Sequence, residues 1–206
     1  MDSKTAGDLF NNKVLFNNGK RGIVYLSECK KYLIKTRKPE SSSPGTIKNE
    51  YFYNKKVNEF GVGPKIFYYN DENDFLIREF VDGEKISEFL EKSDKQNIVN
   101  VLLKIIDQTV KLDEHKINKY ELTNPHKDII IKNNEPYIID FERCRYTDKP
   151  KNLTQFLQYL TRPRTFEWLK NKGINVEKEK IIKLGVNYKK NYEKKYVGEI
   201  KKIISS

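Results

Sequence analysis

Cysteine is nearly absent from this 206-residue chain: Cys29 and Cys144 are its only two thiols. They are too few and too far apart for a disulfide framework, and they match no zinc-ligand spacing. Long apolar runs are missing as well. No stretch approaches the roughly 18 consecutive apolar residues that span a bilayer, and residues 1–8 hold no apolar signal region. These absences set the expectation of a reduced, cytoplasmic protein with no membrane partner. Histidine occurs twice. Nothing in the sequence pairs with His126, and His115 reads as a surface-turn residue. Acidic residues are scarce in one region only. Residues 151–206 carry 14 Lys and Arg against 5 Asp and Glu, whereas the first 150 residues are near balance, 26 against 24.

The net charge is +11 and the pI about 9.4. The skew points to a polyanion partner for the C-terminal quarter. The plainer account is a Lys-rich surface of solvated helix faces, and Lys and Glu enrichment also fits a heat-adapted protein. Charged residues at 33% and hydrophobic ones at 37% suit a soluble globular chain. Its length allows a real core, in one compact domain or two small lobes.

The first half reads as a small sheet with one helix. Lys13-Val14-Leu15-Phe16 and Ile23-Val24-Tyr25-Leu26 are strand-like, with Gly19 and Gly22 in the turn between them. The turn is an ordinary hairpin, since Asn-Gly favours hairpins, or a cradle whose backbone N–H groups face phosphate. Both descriptions are compatible. A third strand, 31–35, places Leu33 and Lys35 on one face, and a lysine directed at an apolar face needs an anionic partner. The 39–45 stretch is a loop by composition. Thr46 reads as the N-cap of a helix running to about Phe60 and stopped by Gly61-Val62-Gly63-Pro64. Glu50, about one turn in, is the natural partner for Lys35. Two more strands follow at 65–69 and 75–80.

The second half reads as mostly helical around one small hairpin. Ser93-Asp94-Lys95-Gln96 has the form of a capping box. It precedes a helix whose buried stripe is Ile98, Val101, Leu102, Ile105, Ile106, Val110 and Leu112. The strand 129–131 turns at Asn133-Asn134 into Tyr137-Ile138-Ile139-Asp140-Phe141-Glu142. That short apolar run ends in a carboxylate, where either a turn cap or a metal ligand belongs. By Asn152 the chain is helical again. In the last quarter Arg162, Arg164, Lys170 and Lys172 surround a short Trp168-containing helix ended by Gly173. A final helix from about Asn175 carries Leu184, Tyr188, Tyr192, Tyr196 and Ile200 as one stripe, read as packing first and base stacking second. Lys189, Lys190, Lys194, Lys195, Lys201 and Lys202 fall between and are placed for phosphate contacts.

Taken together these motifs resemble a eukaryotic-type protein kinase in reduced form. Gly19-x-x-Gly22-x-Val24 is similar to a glycine-rich loop, Ile34-Lys35 to the strand lysine, and Glu50 to its helix glutamate. Glu79-Phe80-Val81 sits where the hinge receives adenine, and Asp140-Phe141-Glu142 resembles Asp-Phe-Gly. The resemblance implies an α+β, two-lobed, protein-kinase-like fold of minimal size lacking an activation segment. Its N-lobe would span 1–80, and a mainly helical C-lobe 81–206. Where kinases carry His-x-Asp-Leu this chain has Lys119-Tyr120-Glu121-Leu122, so Glu121 would stand in for the catalytic aspartate or else serve as a turn or salt-bridge residue. Asp128 best matches the metal-binding asparagine, and Lys127 would reach the transferred phosphoryl group.

The missing activation segment is similar to RIO kinases and to the small kinase of the KEOPS tRNA-modification complex. The run Glu121-Leu122-Thr123-Asn124-Pro125-His126-Lys127, followed by Ile-Asp-Phe-Glu-Arg-Cys-Arg, resembles a small archaeal family of tRNA 2′-O-kinases. That resemblance implies transfer of the γ-phosphate of ATP or GTP, with Mg2+, to the ribose 2′-hydroxyl of a variable-loop uridine of tRNA, stabilising tRNA in a thermophilic archaeon. Glu121, Lys127 and Asp140 would be catalytic. Gly19, Gly22, Lys35, Glu50, Glu79 and Val81 would bind nucleotide, and Asp128 and Asp140 would hold the metal. The basic C-terminal helices would meet the tRNA. A RIO- or KEOPS-type protein kinase or ATPase is the alternative, and an RNA-binding pseudokinase is the third reading.

Overall fold

The computed structural model describes residues 1–19, 22–38 and 46–206. The expected 39–45 loop and the Lys20-Arg21 pair inside the glycine turn lie outside the described residues. The chain divides into two compact units, Met1–Asp82 with Ile139–Cys144, and Gly83–Ile138 with Arg145–Ser206. Residues 139–144 thus group with the first unit although they interrupt the second in sequence.

The first unit begins with a helix that hydrophobic periodicity gave no reason to expect, α1 (Ser3–Asn11). Asp2 caps it: one carboxylate oxygen accepts from the Thr5 N–H at 2.9 Å and the other from the Thr5 hydroxyl at 3.1 Å. Its buried Ala6 packs with Ile34, Phe75 and Ile77, and Phe10 stacks on Phe75. The strands follow as expected: β1 (Lys13–Asn18), β2 (Gly22–Ser27) and β3 (Tyr32–Arg37). Then come α2 (Thr46–Asn58), β4 (Ile66–Asn70) and β5 (Phe75–Glu79). Thr46 is the first residue of α2 rather than a residue before it. The strands form one antiparallel sheet in the order β1-β2-β3-β5-β4. Fully buried Ile34 and Ile77 pair across β3 and β5 at its centre.

The end of α2 is fixed by backbone geometry. Gly61 and Gly63 both hold φ near 75°, which a side chain resists. Asn58 ties this stop together: its amide donates to the carbonyls of Val62 and Pro64, and its carbonyl accepts from the Ile66 N–H.

The second unit carries β6 (Glu84–Lys85), α3 (Ile86–Lys92), α4 (Lys95–Glu114) and β7 (Ile117–Asn118). The expected hairpin is β8 (Ile129–Lys132) and β9 (Glu135–Ile138), joined through Asn133 and Asn134. Both asparagines lie in the left-handed region, as a tight two-residue hairpin turn requires. After β10 (Arg145–Tyr146) come α5 (Asn152–Leu160), α6 (Pro163–Asn171), α7 (Lys178–Asn191) and α8 (Lys194–Ser205). All seven residues expected in the α4 stripe are buried.

Two local expectations change. The cap of α4 is Asp94, not Ser93, which instead closes the end of α3. The Asp94 carboxylate accepts from both the N–H and the side-chain amide of Asn97, and a charged acceptor outcompetes a hydroxyl for a helix N-terminus. The last helix is two helices. Tyr192 adopts φ 56° and ψ 36° and ends α7, so the four-residue repeat continues in sequence across a break in space. Among the described residues, no helix is long and apolar enough to cross a membrane.

Candidate functional site

In the first unit, β3 delivers Lys35 and α2 delivers Glu50, while the segment after β9 brings Asp140 and Glu142 to the same ammonium. Lys35 Nζ donates to Glu50 Oε2 at 2.5 Å, to Glu142 Oε2 at 3.1 Å and to Asp140 Oδ1 at 3.4 Å. The Glu50 side chain is 1% exposed and that of Asp140 39%, so the cluster runs from a buried carboxylate to one that meets solvent. Burial disfavours the Lys35 ammonium, yet Glu50, Asp140 and Glu142 outweigh it and hold the group protonated well above the ordinary lysine range. Burial pushes Glu50 upward, and Lys35 pulls it back.

Two neighbours and one backbone feature hold this arrangement in place. Asn49, one residue before Glu50, donates its amide to the carbonyls of Glu142 and Cys144 at 2.7 and 3.2 Å, fixing the 142–144 backbone against α2. Gly22 approaches β3 so closely that a Cβ there would lie 2.8 Å from the Thr36 carbonyl oxygen and 3.5 Å from the Lys35 side chain. Asp140 itself holds φ 63°, a left-handed conformation that aspartate adopts more readily than most residues. β9 stops at Ile138, so the carboxylate stands past the strand end on a turned backbone.

Arg78 was not foreseen. It is buried, and its pKa is pulled down by burial and pushed back up by Glu50 and Asp140. Two cations thus face three carboxylates. The carboxylate oxygens of Glu50, Asp140 and Glu142 lie within 4.8 Å of one another. Hard oxygen donors with surplus negative charge fit a magnesium ion. Because Glu50 is spent on Lys35, Asp140 and Glu142 are the residues of this unit that would hold one.

The expected glycine turn closes as a hairpin, with the Gly19 N–H donating to the Gly22 carbonyl at 3.0 Å. At the expected hinge, the Glu79 and Phe80 N–H groups donate to the carbonyls of Lys65 and Lys31. The Glu79 carboxylate accepts from the Lys65 N–H. Val81 is buried.

In the second unit, Asp128 is buried, and its carboxylate stands 3.6 Å from Lys119 Nζ, itself 2% exposed. Glu121 is exposed on a backbone with φ 83°, and Lys127 is exposed. The segment around Lys119 hangs on a polar network that the sequence reading missed. Asp113, at the end of α4, accepts from the N–H groups of Asn152 and Leu153, from the Asn152 amide and from the Tyr188 hydroxyl. It thereby caps α5 from a different helix. Asn152 in turn accepts from the Lys119 N–H at 2.8 Å and donates to the Ile117 carbonyl. Burial pushes the Asp113 carboxyl up to about 6 against these hydrogen bonds. Residues 141–151 are all that separates Asp140 from α5.

The C-terminal lysines are less free than their number implies. Lys194 pairs with Glu114, Lys195 with Glu193 and Lys201 with Asp107. Lys189, Lys190 and Lys202 are exposed. In the stripe, Leu184, Tyr188 and Ile200 are buried, and the Tyr192 hydroxyl donates to the Pro150 carbonyl, so packing accounts for it.

Among known proteins, no family model matches the chain. A stretch of 76 residues, 37% of the chain, is 34% identical to the uncharacterized protein MJ1211 of Methanocaldococcus jannaschii and spans 65% of it. A stretch of 95 residues, 46% of the chain, is 30% identical to the KEOPS complex subunit Bud32 of Pyrococcus abyssi and spans 42% of that protein. The matched part is thus under two thirds of either relative's length. Among solved structures, the streptomycin–ATP–APH(2″)-IIa ternary complex is similar over 90% of both chains, with a TM-score of 0.54 and 13% identity. The architecture, an antiparallel sheet unit and a mainly helical unit, is a protein-kinase-like α+β fold.

Proposed function

We propose that the protein is an RNA kinase, transferring the γ-phosphate of ATP or GTP to a ribose 2′-hydroxyl of tRNA. The observation that carries the phosphotransfer part is a largely covered lysine held between a buried helix glutamate and a carboxylate past a strand end. A largely desolvated ammonium with three acidic neighbours is costly to assemble and suits the binding of triphosphate oxygens. The RNA part rests on the resemblance of residues 121–127 and 139–145 to archaeal tRNA 2′-O-kinases and on the basic C-terminal quarter.

In this reading Lys35 orients the phosphates, and Gly19 and Gly22 carry no side chain at either end of the covering turn. Glu79 and Val81 flank the adenine or guanine. Asp140 and Glu142 of the first unit, and Asp128 of the second, are the residues that would hold magnesium, which would neutralise phosphate charge. The 2′-oxygen attacks the γ-phosphorus, the bond to the β-phosphate oxygen breaks, the nucleoside diphosphate leaves, and Glu121 accepts the hydroxyl proton. Lys127 offsets the charge that develops. Most of the acceleration comes from positioning and electrostatics.

A second reading, a protein kinase or ATPase, rests on the resemblance to RIO- and KEOPS-type small kinases, and part of the chain is similar to the KEOPS complex subunit Bud32. The destination of label separates the two. Incubation with γ-labelled nucleotide and bulk archaeal tRNA, then digestion to nucleosides, should recover label on a 2′-phosphorylated nucleotide. Label on Ser or Thr of protein alone would remove the RNA reading. Nucleotide binding with no turnover would favour an RNA-binding pseudokinase.

A further inference from the structure

A cavity of about 200 Å3 in the second unit is lined by Ser87, Glu88 and Glu91 of α3, by His126, and by Arg164 and Trp168 of α6. It belongs to none of the clusters described above. The Arg164 guanidinium lies over the Trp168 ring, 4.7 Å from its centroid. Arg162 stands at the start of the same helix, and both arginines are exposed. Among the described residues neither guanidinium has a carboxylate partner within 4 Å. His126 packs edge-on against Tyr159, and its Nδ1 is buried without a hydrogen-bond partner. Glu88 lies 3.7 Å from Lys85, and both are largely exposed.

Each wall of this cavity has one chemical use. A half-buried indole with an arginine laid on it is a planar platform on which a base stacks. Guanidinium groups that are not neutralised by carboxylates bind phosphate. The carboxylates of Glu88 and Glu91 accept hydrogen bonds from the N–H groups on a base edge. A purely anionic ligand would meet both glutamates unfavourably, and a neutral apolar ligand would leave both arginines unused. A nucleotide satisfies all three walls.

We propose that this cavity receives one splayed-out nucleotide of the acceptor RNA, its base stacked on Trp168 and Arg164 and its phosphate held by Arg162 and Arg164. The assignment rests on the RNA-acceptor reading above and gives it a recognition element. Splayed-out bases are how proteins read folded RNA. The two residues that follow His126 are Lys127 and Asp128, so a nucleotide held here lies beside the segment proposed to act on the acceptor.

The test uses the chain's single tryptophan. The emission of Trp168 is followed while the full-length protein is titrated with oligouridylate, with bulk tRNA and, separately, with ATP. Binding is recorded in parallel from the anisotropy of labelled RNA. Both RNAs should quench the emission saturably, and ATP alone should not. Arg164→Gln and Trp168→Ala should each weaken RNA binding by about tenfold, the range of one lost stacked base, and Trp168→Phe should restore most of it. Unchanged melting temperatures would show that these variants remain folded. RNA binding by anisotropy with unchanged Trp168 emission would overturn the proposal, as would quenching by ATP alone or no RNA binding at all. Quenching by RNA without any phosphate transfer to it would leave the subsite standing and remove only the kinase reading.

Discussion

The position of Lys35 makes its chemistry unusually easy to probe, because three carboxylates share one ammonium. Replacing Lys35 by Met removes the ammonium that Glu50, Asp140 and Glu142 share and leaves their charges facing one another. The expected loss of stability at pH 8 is about 3 kcal/mol, typical of breaking a buried ion pair from one side. At pH 5 the loss should be smaller, since burial pushes the Glu50 carboxyl upward and its protonation removes one charge from the cluster. Urea denaturation at the two pH values checks this, and an equal loss at both would mean the carboxylates do not depend on Lys35. Asp113 offers a second residue-scale prediction. Its carboxyl stays protonated in the fold up to about pH 6, while the unfolded chain ionises near 3.8. The folded state therefore binds more protons between these values, and this residue's contribution to stability falls as pH rises through them, by at most about 3 kcal/mol. The difference between wild-type and Asp113→Asn denaturation curves, measured from pH 4 to 7, should show that slope. A flat difference would place the Asp113 carboxyl near its ordinary value.

At the scale of elements, what was legible depended on whether local chemistry or a distant partner decided the outcome. The strands β1, β2, β3, β4, β5 and β8, the α4 stripe and the Asn133-Asn134 turn follow from alternation, periodicity and turn residues, all local. The capping error at α4 was a competition between neighbours: Ser93 had the pattern, but the Asp94 carboxylate reaches the Asn97 N–H. Asp94→Ala should cost about 1 kcal/mol in thermal or urea unfolding, and Ser93→Ala almost nothing. The reverse order would restore the capping box. The break between α7 and α8 falls on a tyrosine in a left-handed conformation, with no glycine or proline to mark it. Helix α1 was missed because nine residues with a single buried side chain, Ala6, give no readable period. The cap of α5 by Asp113 lies 39 residues away, beyond any local pattern.

Taken as a whole, the molecule was legible where residue type and order sufficed and opaque where the backbone path decided. That Lys35, Glu50 and Asp140 meet was readable from a lysine on a strand, a glutamate one turn into the next helix and an aspartate after a later strand. Glu142, Arg78 and Asn49 were not, since their roles depend on residues 139–144 folding back onto the first unit. Net charge alone also overstated the free basic surface. Lys194, Lys195 and Lys201 are engaged by carboxylates, whereas Lys189 and Lys190 are exposed in the last turn of α7. Changing Lys189 and Lys190 together to Gln should flatten the plot of log affinity for tRNA against log salt by roughly 2. Changing Lys194 and Lys201 should alter it less, and equal effects would mean that the ion pairs do not persist in solution. The central claim is that the Lys35 and Asp140 cluster is a phosphotransfer centre. It is tested most directly by single-turnover transfer from γ-labelled nucleotide with Asp140→Asn, a substitution that keeps shape and removes charge. The account predicts that the nucleotide still binds while transfer falls by about 1,000-fold or more, the loss expected when preorganised charge is removed from the reacting phosphate. Transfer within a few-fold of wild type would contradict it.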